Sequence, residues 1–185
     1  MTINLGTLHI IPIAEDAGLI AAPVSAALAT MSDTTAVGVT EIDPALSDTA
    51  AFCTHYRVGM EQAANCVVLE ATRADRTWFA ACVVLASTRA DINGVARRAL
   101  DARRVSFAPM ERAVAETGME YGAITPVGLP IDWPILIDKA VADAAYVIIG
   151  SGFRKSKLAV SGSFLASLPN AQIIEGLARA PSLPS

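Results

Sequence analysis

The side chains best suited to chemistry are few and scattered. His9 and His55 lie far apart in the sequence, and neither has a suggestive acidic or nucleophilic neighbour. Cys53, Cys66 and Cys82 are odd in number and form no CxxC pair, so neither a disulfide framework nor a zinc site is indicated. They read as buried thiols in a reducing cytoplasm. No P-loop, dinucleotide fingerprint or Gly-x-Ser-x-Gly elbow occurs, and SGSFL at 161–165 lacks the second glycine of that elbow. What remains is backbone chemistry, in YGAITPVGLP at 121–130 and IGSG at 149–152. Glycine lets a ligand approach the main chain, and proline holds neighbouring N–H and C=O groups in set directions. Such loops can offer preorganised donors to a carbonyl or oxyanion without a catalytic side chain. The plainer reading makes both stretches ordinary turns.

These loops need elements to hold them. An apolar amino-terminal stretch ends at Pro12, and AGLIAAPVSAALAT at 17–30 reads as a buried helix, too short and too interrupted by Pro23 to span a bilayer. AVGVTEI follows as a strand, and Asp43-Pro44 opens a helix over ALSDTAAFCTHY. CVVLEATRAD at 66–75 and CVVLASTRAD at 82–91 match at all but two places, and the segment between them predicts a hairpin of neighbouring strands. Asp91 caps a helix through INGVARRALDAR, with Arg97, Arg98, Arg103 and Arg104 on its outer side, either a solvated face or phosphate contacts. FAPMERAVAETG is a helix opened by Pro109 and stopped by Gly118. After the Gly-Pro loop come a strand in WPILID, a helix in KAVADAA, strands in YVIIG and SGFRKSKLAV, and a capped helix in SGSFLASLP. The tail after Gly176 is expected to fray. Irregularly mixed strands and helices around a hairpin predict an α+β fold in one domain.

Composition limits the function classes. A chain of 185 residues that is 53% apolar and 17% charged, with a mean hydropathy of +0.46, is globular and large enough to fold without staples. The first 56 residues hold six acids and no Lys or Arg, which leaves 14 bases against 12 acids in the remainder. That balance excludes a protein that coats nucleic acid generically, while allowing local contacts to a transient nucleic-acid substrate. An amino terminus without bases lacks the positive region of an export signal.

In their order and spacing, EQAANCVVL, the hairpin, ARRALDARRVSFAP, GAITPVGLP, PILID, VIIGSGFRKSKLAV and the closing helix make residues 61–175 resemble the YbaK and prolyl-tRNA synthetase-associated editing domain family. The resemblance implies one domain over 1–180: a mixed, barrel-like sheet with flanking helices, a helical layer or lid in residues 1–60, and a disordered tail at 181–185. It implies a freestanding enzyme that hydrolyses the ester of mischarged transfer RNA, in the cytoplasm, without metal or cofactor. The partner implied is the acceptor end of the transfer RNA, with an aminoacyl-tRNA synthetase as a further candidate and no membrane; oligomeric state is left open.

Residue by residue, the resemblance places Asn65, Gly122 and Thr125 at the chemistry. Ile124, Pro126, Gly128, Gly150, Ser151, Gly152 and Arg154 shape the substrate pocket, and Arg97, Arg98, Arg103, Arg104, Lys155 and Lys157 are the candidates for the RNA backbone. One position departs from the family pattern: Asn65 stands where a lysine is usual. Asparagine donates and accepts hydrogen bonds but cannot neutralise a phosphate. Three outcomes are therefore open: Asn65 orients the water or ester, Lys157 or Arg154 supplies the cation, or the chain is a silent relative that binds a small amino-acid-like ligand, a nucleotide or a protein.

Overall fold

In chain order the computed structural model, which describes residues 3–181, forms β1 (Ile11–Pro12), α1 (Ala22–Ala29), β2 (Gly38–Glu41), α2 (Thr49–Tyr56), β3 (Ala64–Arg73), β4 (Arg76–Leu85) and β5 (Arg89–Ala90). A π-helical turn at Ile92–Ala96 then runs into α3 (Arg97–Ala99). The chain continues through β6 (Arg104–Phe107), α4 (Met110–Thr117), β7 (Ile135–Asp138), α5 (Lys139–Ala142), β8 (Val147–Gly150), β9 (Ser156–Val160), α6 (Gly162–Ala166), β10 (Ala171–Ile174) and β11 (Ala178–Arg179). The fold is mixed α+β, as expected. No helix among the described residues is long and apolar enough to cross a membrane.

The near-repeat becomes the hairpin at the centre of the molecule. β3 and β4 pair antiparallel from Ala64↔Leu85 to Arg73↔Arg76, and the two CVVL copies face each other, with Cys66 opposite Val83 and Val67 opposite Cys82. The TRAD copies diverge: the first runs into the turn, while the second leaves the strand after Leu85, forms β5, and ends at Asp91, which accepts a 2.8 Å bond from Gly94 N–H as a helix cap. The repeat thus reflects two strands with one burial demand rather than a duplicated unit.

The hairpin sits inside a five-stranded sheet of order β10-β7-β4-β3-β6, beside a four-stranded sheet β1-β2-β9-β8 and a two-stranded ribbon β11-β5. A single parallel bridge, Ala63↔Ile148, joins the two larger sheets, and among the described residues no ladder closes into a barrel. Their facing sides bury Ala81, Val83, Ile135, Ile137, Val147, Ile149, Leu158 and Val160 together with Val24, Leu28, Val37 and Val39. Each such Val, Leu or Ile side chain contributes roughly 1.5–3 kcal/mol by leaving water. Residues 13–39 therefore supply a packing layer of the main core, while Leu5, Ile42, Phe52 and Cys53 pack in a separate cluster with Ile148 and Ala159.

Several boundaries differ from expectation, each for a local reason. The helix expected from residue 17 begins at Ala22, after a 3-10 turn, with Pro23 in its first turn, where a missing N–H costs nothing. Asp43 caps only a 3-10 turn at Pro44–Leu46; α2 starts at Thr49, where Asp48 accepts from Ala50 and Ala51 N–H. The helix after Asp91 ends at Ala99, because the chain must turn back so that Arg104–Phe107 can pair with β3. The tail expected to fray after Gly176 is instead ordered through β11: Leu177 is fully buried and Ala178 N–H donates to Asp138 at 3.0 Å. The part of the expected disordered tail beyond residue 181 lies outside the described residues.

Candidate active site

The two glycine-bearing stretches of the sequence meet in space. Gly152 N–H donates to Ala123 O at 2.9 Å, Glu120 N–H to Gly152 O at 2.9 Å, and Arg154 N–H to the Glu120 carboxylate at 2.6 Å. Gly150, at the end of β8, lies so close under the loop that a Cβ there would overlap the Ala123 carbonyl and come within 2.9 Å of the Ile124 carbonyl. Gly122 adopts φ +82°, a left-handed conformation that strains any side chain, and a Cβ on it would lie 3.3 Å from Arg154 Nη1. The amino-terminal layer braces this pair of loops from behind: Ala21 N–H donates to Ser151 O, and the backbone at Pro23 leaves no room for a Cβ on Gly128.

In front of the loops lies a cavity of about 550 Å³, which Gly122, Ile124, Gly150 and Arg154 line together with Asn65, Cys66, Val67 and Val68 of β3. Ser47, Asp48, Thr49 and Lys157 close its polar side, and Phe107 and Tyr121 also line it. β3 can form a wall because β6 covers its edge only from Leu69 to Thr72, with Ala108 N–H reaching Val68 O at 2.9 Å. Since main-chain groups alternate in direction along a strand, the N–H and C=O of Cys66 leave β3 on the same side as that carbonyl. No strand covers them there among the described residues.

Hydrogen bonds fix the polar side chains of the cavity. Thr49 Oγ1 donates to Asn65 Oδ1 at 2.6 Å, which turns the asparagine amide so that Nδ2 is left as a donor. Lys157, only 6% exposed, extends from β9 and donates through Nζ to Ser47 O at 3.1 Å, while its ammonium lies 5.5 Å from the centre of the Phe52 ring. Burial, reinforced by repulsion from Arg154, pulls the Lys157 pKa below the usual lysine value, against the attraction of Cys53 and Asp48. The Ser47 hydroxyl is buried and has no hydrogen-bond partner among the described residues. Arg154 Nη2 donates to Pro44 O at 3.2 Å and so ties the β8–β9 turn to the segment that precedes α2.

The arrangement favours donors over nucleophiles. Burial raises the Cys66 thiol pKa far above its ordinary value and pushes Cys82 up to about 12, so neither is a thiolate near neutrality. Neither histidine lines the cavity, and no group of three His, Cys, Asp or Glu among the described residues could hold a metal ion. What the cavity offers is a buried ammonium, an oriented amide, a guanidinium and open backbone groups.

Of the residues singled out in the sequence, Asn65, Gly122, Ile124, Gly150, Arg154 and Lys157 come together here. Thr125 is fully buried and does not line the cavity; its hydroxyl has no partner among the described residues. Pro126 and Gly128 line a second cavity, of about 630 Å³, on the other side of the same loop. Ser151 is buried in a network with the Ser156 hydroxyl and carbonyl, and Gly152 is packed against Ala21 and Met119. Arg97, Arg98, Arg103, Arg104 and Lys155 line neither cavity; Arg97 Nε donates to Asn93 O, and the Lys155 ammonium lies over the Phe153 ring. Sequence reasoning missed Ser47, Asp48 and Thr49, whose signal was the Asp48 cap, and it missed the exposed aromatics Phe107 and Tyr121.

Comparison with known proteins bears on the fold and on the family. The family model described as the aminoacyl-tRNA editing domain matches residues 43–168, a span that begins at the segment leading into α2 and closes after α6. Comparison with curated protein sequences gives no match. Among solved structures, a candidate trans-editing enzyme for prolyl-tRNA synthetase superposes with a TM-score of 0.70 at 20% identity, over 83% of this chain and 93% of that one. The hypothetical protein APE2540 gives a TM-score of 0.64 at 19% identity, over 72% and 85%. A scaffold protein carrying a computationally grafted epitope gives 0.71 at 19%, over 84% and 95%. At such identities these structures speak for the fold, and the family match covers more than half of the chain: it belongs to the aminoacyl-tRNA editing domain family.

Proposed function

We propose that the protein is an aminoacyl-tRNA deacylase that hydrolyses the ester joining a wrong amino acid to the terminal adenosine of transfer RNA. Family membership supports the reaction class, and one observation on this chain carries the assignment: a buried lysine and an oriented asparagine face the same cavity as the Gly122 loop. In this reading the aminoacyl group enters beside Gly122 and Ile124. A water attacks the ester carbonyl, the carbon–ribose oxygen bond breaks, and the proton passes to that ribose oxygen, with the substrate's neighbouring hydroxyl helping to place the water.

Charge that develops on the carbonyl oxygen is met by donors held in advance, the Asn65 amide and the Lys157 ammonium. Donors fixed in a water-poor site stabilise such charge more than solvent does, because they need no reorganisation. Lys157 thereby supplies from β9 the positive charge that Asn65 lacks. The apolar wall of Val68 and Ile124 selects amino acids by size, with each methylene worth roughly 1–3 kcal/mol.

The test is deacylation of a panel of misacylated transfer RNAs by the native protein and by Gly122→Ala. The native protein is expected to release at least one amino acid well above background, and the variant to be slower. If no mischarged species is hydrolysed, the reading fails, and the silent, ligand-binding alternative that the loss of the usual lysine at position 65 suggests takes its place.

A further inference from the structure

Aromatic residues make up only 5% of the chain, yet two of them stand exposed at this one cavity: Phe107 at 62% and Tyr121 at 58%. The exposure of Phe107 has a structural cause. By the two-residue period of a strand it shares a face of β6 with Val105. Val105 is 4% exposed in a core with Leu100 and Ala102, and that core stops short of Phe107, whose ring emerges where the cavity begins. Tyr121 precedes Gly122, so the left-handed turn there carries it at the cavity edge. Arg154 lines the same cavity, and its guanidinium lies beside Gly122.

Two exposed rings and a fixed cation form the combination that grips single-stranded nucleic acid, since every base has a face that can stack and every linkage a negative charge. We infer that Phe107 and Tyr121 are a stacking platform for the unpaired 3′-terminal bases of the RNA, with Arg154 on the adjoining phosphate. This rests on the deacylase reading for the identity of the substrate. It explains how a chain with a net charge of −4 could hold an RNA end. Recognition would be concentrated on a few bases at the cavity mouth rather than spread over a basic surface.

The experiment uses three probes: a short single-stranded RNA ending in adenosine, a mischarged transfer RNA, and an aminoacyl methyl ester that has no base. Phe107→Ala and Tyr121→Ala are each expected to weaken RNA binding by about tenfold. They should raise KM on the mischarged transfer RNA in proportion while changing hydrolysis of the methyl ester, which has no base to stack, by much less. Tyr121→Phe should bind as the native protein does, whereas Tyr121→Leu, which is apolar but has no π face, should bind as Tyr121→Ala does. Binding of the RNA at low salt by the native protein, lost in the alanine variants, supports the platform even if no ester is cleaved; in that case only the deacylase reading falls. No RNA binding by the native protein, undiminished binding by both alanine variants, or full rescue by leucine overturns the platform, and the deacylase reading is then judged by its own assay.

Discussion

The loop from Tyr121 to Pro130 is a wall shared by two cavities of similar size whose polar groups differ. On one side Gly122 and Ile124 face Ser47, Asn65, Arg154 and Lys157; on the other Pro126, Gly128 and Leu129 face Ala27, Met31, Phe164 and Leu168. Volume does not separate them. What separates them is that the first brings buried donors and a desolvated charge to bear on its contents, whereas the second sets Thr30, Ser32, Asp33 and Ser167 among its apolar residues and has no lysine or arginine in its lining. An ester needs the former, because its reaction develops charge. The stiffness of the loop has a role on both sides: it presents backbone toward the polar cavity and is anchored by apolar packing toward the other.

Substitutions can break or sharpen this contrast. The largest effect is expected for Gly150→Ala, whose methyl group has no space under the Ala123 carbonyl and must push the loop away from the polar cavity. Displacement on the ångström scale costs on the order of 100-fold in rate. The strain should also lower Tm by several degrees in a thermal melt.

Next is Lys157→Met, which keeps an unbranched side chain one atom shorter and removes its charge. Deacylation should fall by at least about tenfold, while Tm rises by about 2–4 °C because a desolvated charge no longer has to be buried. Opposed changes in rate and stability would mark Lys157 as a functional rather than a structural residue. The same logic fixes a pH dependence. The native Lys157 pKa is lowered, so the unfolded chain binds more protons between that value and the ordinary lysine value. Stability contributed by this group should rise with pH across that window, and the enzymatic rate, corrected for spontaneous hydrolysis, should fall across it.

Smaller effects are expected away from the donors. Iodoacetamide at neutral pH should label Cys82 only after unfolding, because the thiol is fully buried and burial keeps it protonated; mass spectrometry of native and denatured samples would show it. Smallest of all, Ile131→Ser, at a residue 74% exposed beside the second cavity, should leave deacylation within about twofold and Tm nearly unchanged. A large loss of rate there would place the chemistry on the wrong side of the loop.

The part of this picture that could be read in the sequence is the part fixed by local rules. The CVVL hairpin, the Asp91 and Ser161 caps, and the helix between Pro109 and Gly118 follow from strand patterning and capping, and all of them are present. β10 and β11 were not legible, since Ala171–Ile174 owes its strand state to parallel pairing with β7, and Ala178–Arg179 to pairing with β5. At the site, the glycine loops and Asn65 were visible as types and spacings. The two-sidedness of the loop was not, because it depends on α1 packing under Gly128 while β3 faces Gly122. Ser47 and Thr49 were hidden by placing the helix start at Asp43, five positions before its true cap at Asp48. The burial of Lys157 is a tertiary effect, and its sequence neighbours Arg154 and Lys155 suggested a surface.

The most direct test of the central claim is a single-turnover deacylation assay on a mischarged transfer RNA, comparing the native protein, Lys157→Met and Ile131→Ser at neutral pH. The account predicts hydrolysis by the native protein and by Ile131→Ser at similar rates, and a fall of at least about tenfold in Lys157→Met. Equal rates for the native protein and Lys157→Met, or a loss confined to Ile131→Ser, would contradict it.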